Sequence, residues 1–375
     1  MHKRIYLSLF SSASSGYDDS MFKRIFFDTL KNMGHDVVFF PYYEASLSKN
    51  KEKLHDIVEI SENIYQNFLH NHNQKPFDFF LSYYHSKQVV PELFAKVREK
   101  VFCINYTTNF HQIETYKPLL KVADLSIFAS REAKSYFEDE ANHSFYMPFA
   151  GLSSNLTFDK NKNNKISFIG TSYGPRAYYL WRCLQNQLPI DIYGYQWINN
   201  HKRRSLLRSI KLQFEILFTK YKSIDTAYKC LNDIILREIN DDYNQLIHKP
   251  LSDDAYNQLL SVSSVVLNIP ESRFGHDYYN SRVLIGANLR DFEVPTAGSL
   301  LLTQDNEEIK ECFDVNKEIV TYANEWEMVD KLRFYISHPE LSLKIAEAGH
   351  NRAKNQHLWE QRFNALITHL ESNFL

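Results

Sequence analysis

Asn288-Leu289-Arg290-Asp291-Phe292-Glu293-Val294-Pro295-Thr296-Ala297-Gly298-Ser299-Leu300-Leu301-Leu302-Thr303 is the stretch on which the reading of this chain turns. Glu293 stands five residues before Gly298, and an apolar run, Leu300 to Leu302, follows at once. A helix over 288–297 closed by Gly298 accounts for the first part, because glycine accepts the left-handed conformation that ends helices. The apolar run then reads as a buried strand. Such a helix can bring Glu293 to the mouth of a site, where a carboxylate accepts two hydrogen bonds from a vicinal diol such as a ribose.

Outward from this block the chain alternates. Strands are expected at Ile5–Phe10, Val37–Phe40, Phe77–Ser82, Val101–Ile104 and Leu125–Phe128, with helices at Met21–Met33, Leu54–Leu69, Pro91–Glu99 and Thr115–Val122. Residues 157–165 are polar and aperiodic and read as a linker. The rhythm restarts with Ile166–Gly170, a helix Pro175–Leu188, Ile190–Gly194, Ser264–Asn268, a helix around Arg282–Arg290 or beyond, and Leu300–Thr303. Helices at Trp326–His338 and Leu341 to about Leu370 end the chain. Near-continuous apolar strands separated by helices indicate parallel sheets buried on both faces.

At 375 residues the chain exceeds what one core usually supports, so two α/β domains are expected. The expected boundaries are 1–156 and 165–350, with 351–375 crossing back to the first domain. Two doubly wound domains in tandem place their ligand in the cleft between them. The segment 198–248 breaks the rhythm as an insertion. Within it, residues 201–222 carry a basic face, which fits either an anionic membrane surface or acidic partner, or a solvated helix.

Composition excludes several classes. The formal charge of -2 gives no nucleic-acid signature, and no run of 18 apolar residues spans a membrane. Cys103, Cys183, Cys230 and Cys312 form no CxxC pair, which suits a reduced, cytoplasmic protein without structural zinc. A basic-then-apolar start, Met1 to Phe10, reads as a first strand. Aromatic residues reach 15%. That richness fits stacking on sugars or bases, or a genome rich in A and T.

The block around Glu293 resembles the C-terminal signature of the glycosyl transferases family 1-like group, which includes the spore-maturation CgeB-type proteins. More distantly it is similar to retaining glycosyltransferases of family 4. Ile166–Arg176, Ile192–Trp197, and the tail from Ile345-Ala346-Glu347-Ala348-Gly349-His350 through Arg362 look like further parts of the group. The resemblance implies a GT-B-type fold, two Rossmann-like doubly wound domains facing across a cleft. It implies transfer of a sugar from a nucleotide-sugar, UDP- or GDP-sugar above all, to an unidentified glycan, glycolipid or other macromolecule. Retention of configuration and independence of metals are part of that expectation, and no D-x-D motif occurs.

Carried over residue by residue, Glu293 binds the donor ribose, with Ala297 and Gly298 completing its motif and Asn288 orienting the loop. Arg176 stands six residues after Gly170, where family 4 places a phosphate-binding lysine, and Arg290 is the second cation. Gly170, Thr171, Ser172 and Tyr173 are expected to line the donor loop. His111, after the fourth strand, is expected to contact a donor-sugar hydroxyl or a phosphate. The departing diphosphate gains charge in the transition state, which is why fixed cations there accelerate the reaction. Each residue also has a plainer reading: a helix-start arginine, an arginine paired with a nearby carboxylate, an ordinary loop histidine.

One position departs from family 4. A second Glu, eight residues before the ribose-binding one, is replaced by Ile285, and Glu271 is the substitute in the loop 270–276. That gap leaves two alternatives beside a transferase: a nucleotide-sugar epimerase on the same fold, or a catalytically silent nucleotide- or sugar-binding module. A dinucleotide oxidoreductase is disfavoured by the missing GxGxxG.

Overall fold

The structure is a computed structural model that describes residues 2–10, 21–42, 56–108, 113–153, 158–197, 235–274 and 282–374. It divides into two compact units, Met1–Ser153 with His357–Leu375, and Ser154–Gln356. The basic segment 201–222 and His111 lie outside the described residues.

The first unit is a parallel sheet of β1 (Arg4–Leu9), β2 (Asp36–Phe39), β3 (Phe79–Tyr83), β4 (Phe102–Thr107), β5 (Leu125–Phe128) and β6 (Ser144–Tyr146). Its strand order is β2-β1-β3-β4-β5-β6. Between the strands run a π-helical turn, Lys23–Asp28, leading into α1 (Thr29–Asn32), and then α2 (Ile57–Gln74), α3 (Pro91–Arg98), α4 (Ile113–Leu120) and α5 (Lys134–Glu140). From Ile5 to Leu9 every residue of β1 is buried, as a strand covered on both faces must be. The α2 helix is capped by the Asp56 carboxylate, which accepts the Val58 amide at 2.9 Å. It buries Ile60, Ile64 and Phe68, spaced four residues apart, against Tyr6, Phe77 and Phe80. Tyr6 stacks on Phe80 with centroids 5.3 Å apart. Much of the aromatic content therefore goes into packing.

The C-terminal helix, Trp359–Asn373, packs on this same unit: Phe26 meets Trp359 at 6.0 Å and Phe363 at 5.5 Å between centroids. Gly151 bridges to Leu358 just ahead of it.

The second unit is a parallel sheet of β7 (Asn163–Ile169), β8 (Ile190–Tyr193), β9 (Ile247–His248), β10 (Ser263–Leu267), and, later in the chain, β13 (Leu300–Gln304) and β14 (Val320–Tyr322). A separate antiparallel pair, β11 (Ser272–Phe274) and β12 (Arg282–Leu284), lies between β10 and β13 in the chain. The helices are α6 (Arg176–Gln185), α7 (Asp253–Val262), α8 (Leu289–Ala297), α9 (Glu307–Cys312), α10 (Glu325–Ser337) and α11 (Pro339–Gln356). The order β14-β13-β10-β7-β8-β9, counted from β7, is the 3-2-1-4-5-6 order of dinucleotide-binding sheets. Its switch point lies between β7 and β10, where the chain has wound first to one side and then to the other.

Three sequence expectations change here. Arg282–Leu284 is a strand, and the helix begins only at Leu289, where the Asn288 side chain caps it. The long closing helix is two helices, broken at His357 and Leu358 where the chain joins the first unit. Strand β7 starts at Asn163, inside the stretch read as linker, because its first residues pair with Ser263 despite being polar. Short elements without a full period, β6, β9, β14 and α9, were not anticipated, nor was α7.

Gly349 shows how tightly α11 is seated. A Cβ there would lie 2.2 Å from the Glu318 carbonyl oxygen, a backbone atom that cannot rotate away. Alanine ordinarily favours a helix interior by about 1 kcal/mol over glycine. Here overpacking of about 1–3 kcal/mol or more outweighs that gain. Gly349→Ala should therefore lower the melting temperature by several degrees in a thermal scan; an unchanged or raised value would contradict the close seating.

Candidate nucleotide site

Two loops follow the strands that flank the switch point: Gly170–Pro175 after β7 and Asn268–Glu271 after β10. Arg176, the first residue of α6, ties them together. Its Nε donates to the Ile269 carbonyl at 3.1 Å and its Nη1 to the Thr171 carbonyl at 3.0 Å. The guanidinium also lies 3.8 Å from the centroid of Tyr173. Gly170 makes room for it, since a Cβ there would meet Nη1 at 3.0 Å. Only 4% of Arg176 is exposed, and burial pulls its guanidinium down to about 10, with the nearby charge of Arg290 adding to the effect. It still carries its charge at neutral pH. Helix α6 starts with no capping side chain and no acidic residue in its first turn, so neither offsets its positive end.

The loop residues divide. The Gly170 amide donates to Tyr193 and the Ser172 amide to Tyr195, so these two amides stitch the β7 loop to the β8 loop and do not cradle a ligand. Tyr173 is 47% exposed and forms the outer face of the Arg176 stack.

The second helix of the site is α8. The Asn288 side chain accepts the Arg290 amide at 3.0 Å, while Asp291 accepts the Asn288 amide at 2.8 Å, a reciprocal cap. Asn268, at the end of β10, donates to Asp291 at 2.7 Å and to Asn288 at 3.2 Å. Tyr322, from β14, holds the Asn268 carbonyl at 2.8 Å. Burial raises the Asp291 carboxyl, opposed by hydrogen bonds from Thr303, the Asn288 amide and Asn268. These bonds fix the start of α8 beside the switch point, so α6 and α8 present their N-termini at the same end of the sheet.

Arg290 lies in the first turn of α8, its guanidinium 5.7 Å from the ring of Tyr256 on α7. The Tyr256 hydroxyl donates a short hydrogen bond to Glu293 Oε2. Glu293 is largely buried, at 8% exposure, one turn along from Arg290. The structure thus gathers Arg176, Arg290, Asn288 and Glu293 around one end of the sheet. Ala297 and Gly298 lie at the far end of α8, roughly 13 Å from Asn288 along a nine-residue helix. Gly298 takes φ +83 and packs on Phe158; it ends the helix and leaves the ligand to the other end. Glu271 is buried and accepts from Gln304 at 3.1 Å. Ile285 is partly buried in the stretch before α8.

Three contributors escaped sequence reasoning: Tyr256, Asn268 and Tyr322. The start of α7 carried a signal, Ser252 followed by Asp253 and Asp254, a cap with an acidic first turn. The partners of Asn268 and Tyr322 lie 20 or more residues away and have no local signature.

Two guanidiniums, two helix N-termini and a carboxylate one turn away can hold a diphosphate at one end and a diol at the other. Comparisons agree. The chain resembles sucrose-phosphate synthase from Thermosynechococcus elongatus at 11% identity and TM-score 0.63, over 98% of this chain and 100% of that one. It resembles HepE of Anabaena, solved with UDP and glucose, at 12% identity and TM-score 0.61, over 99% of this chain and 100% of that one. A protein assigned as a UDP-N-acetylglucosamine 2-epimerase from Listeria monocytogenes shares the fold at 11% identity and TM-score 0.52, over 100% of this chain and 98% of that one. No curated protein matches by sequence. No helix among the described residues is long and apolar enough to cross a membrane. Residues 181–368 match the glycosyl transferase-like family and take in α8, Arg290 and Glu293. With that match spanning half of its 375 residues, the chain belongs to the glycosyl transferase-like family, a glycosyltransferase on the GT-B fold.

Proposed function

We propose that the enzyme moves a sugar from a UDP- or GDP-sugar to a hydroxyl of a glycan, glycolipid or other macromolecule, with retention of configuration and without a metal ion. The observation that carries this reading is the placement of Arg176 and Arg290 in the first turns of α6 and α8, the two helices that begin at the switch-point end of the sheet. Like charges are held together where an anion is to be bound. In this reading the bond from the sugar C1 to the β-phosphate oxygen breaks, and its electron pair leaves with the nucleoside diphosphate. Arg176, Arg290 and the two helix N-termini stabilise that charge. The acceptor oxygen forms the new bond to C1, and its proton passes to the departing phosphate. Glu293 receives the ribose hydroxyls beside the Tyr256 bond. His111, outside the described residues, is assigned to a donor-sugar hydroxyl or a phosphate. The basic segment 201–222, also outside them, would meet an anionic acceptor or membrane surface.

The test is a panel of UDP-, GDP-, ADP- and CMP-sugars. One nucleotide series should raise the melting temperature saturably and be hydrolysed slowly to free nucleotide, with EDTA leaving the rate unchanged. Loss of the rate in EDTA would remove the metal-free part. Binding with no turnover across candidate acceptors would point to a silent module. A nucleotide-sugar inverted at C2, formed without any acceptor, would mark an epimerase, the reading to which the Listeria likeness gives a fold-level precedent.

A further inference from the structure

A cavity of about 550 Å³ opens beside the starts of β7 and β10, at the end of the second sheet opposite the nucleotide site. That volume falls in the range of small-molecule sites, roughly 300–1,000 Å³. Its walls divide by chemistry. Ile336, Leu343 and Ala346, from α10 and α11, supply an apolar side, Lys160 and Lys162 line the polar part, and the Glu340 carboxylate also borders it. Lys160 leans toward Glu347 at 3.9 Å, an exposed pair of little consequence.

Lys162 is different. Its Nζ donates to the Ser261 carbonyl at 2.5 Å and lies 5.1 Å from the Phe158 ring centroid. Among the described residues no carboxylate is within ion-pair distance of it. Burial pulls its ammonium down to about 8, with the charge of Asp159 only partly opposing. An ammonium at the wall of a cavity, held by a carbonyl and an aromatic face and by no carboxylate, can pair with an anion. The other charged or titratable groups around it are Asp159 and Lys160 on its own loop and Glu340, Glu347 and His350 on α11.

We propose that this cavity is a second ligand site, taking a small organic anion whose phosphate or carboxylate pairs with Lys162 while its apolar body lies against Ile336, Leu343 and Ala346. Among the described residues, none that lines it is assigned to the sugar donor.

The probes are phenyl phosphate and benzoate, titrated calorimetrically into the full chain with UDP present in excess, so that the nucleotide site is already occupied. At least one probe should bind saturably, at one site per chain. Lys162→Met, which keeps the methylene stem, should weaken it tenfold or more. Ser337→Trp, on the exposed rim, should do the same by filling space while leaving the lysine intact. Affinity should fall as pH rises through 8, because only the charged amine pairs with the anion. The proposal is overturned if neither probe binds in the presence of UDP, or if binding is equal in the wild type and Lys162→Met. Donor binding retained in Lys162→Met shows that the variant has folded.

Discussion

Arg176→Ala is expected to lower kcat by about 10²–10³-fold, the loss typical of removing a fixed donor from a developing oxyanion. Two effects combine in that number. One is electrostatic: the guanidinium is almost fully buried and its charge acts in a medium poor in water. The other is architectural. The side chain bridges the Thr171 and Ile269 carbonyls across the switch point, and its removal leaves two acceptors unsatisfied at about 1–3 kcal/mol each. Arg176→Lys separates the two. A lysine retains the charge but cannot bridge both carbonyls with a planar fork. It should recover part of kcat while remaining less stable than the wild type in a urea melt. If Arg176→Ala keeps its full rate per folded molecule, the arginine is a strap between loops and nothing more.

Glu293→Ala is expected to raise the donor KM by roughly 10–100-fold, corresponding to the net loss of one hydrogen bond to a charged group at about 1.5–3 kcal/mol. The ribose is remote from the bond that breaks, so its contacts are equally strong in the ground and transition states, and kcat should change far less than KM. Glu293→Gln, which keeps the shape and one acceptor, should lie between. Tyr256→Phe provides a control: it removes the hydroxyl that donates to the Glu293 carboxylate without removing the carboxylate itself. Its effect on donor KM should be the smaller of the two. A donor KM unchanged in both Glu293 variants would mean that the carboxylate serves contacts within the protein, the Tyr256 hydroxyl among them, and the ribose assignment would be lost.

Part of this site could be read directly from the chain. The Asn288 cap, the acidic residue three positions on, and the glycine that ends α8 are local devices, each satisfied within a few residues. The error over 282–290 has the opposite origin. Arg282, Val283 and Leu284 have no strong period, and what makes them a strand is their pairing with Ser272–Phe274 across an intervening stretch. The break at His357 and Leu358 was hidden for a similar reason: apolar residues continue at helical spacing on both sides, and only the contact with Gly151 interrupts them.

By itself the sequence determined the alternation of buried strands and amphipathic helices, and hence two parallel sheets, because burial on both faces and a period near 3.6 are written in neighbouring residues. It also determined where α8 ends. Tertiary structure alone decided the order of strands around β7, the break between the last two helices, and the partners of the charged groups. Arg176 meets a carbonyl 93 residues away and Glu293 a hydroxyl 37 residues away. Such pairings follow from which surfaces the sheets bring together, and no short window of sequence contains both halves of the contact.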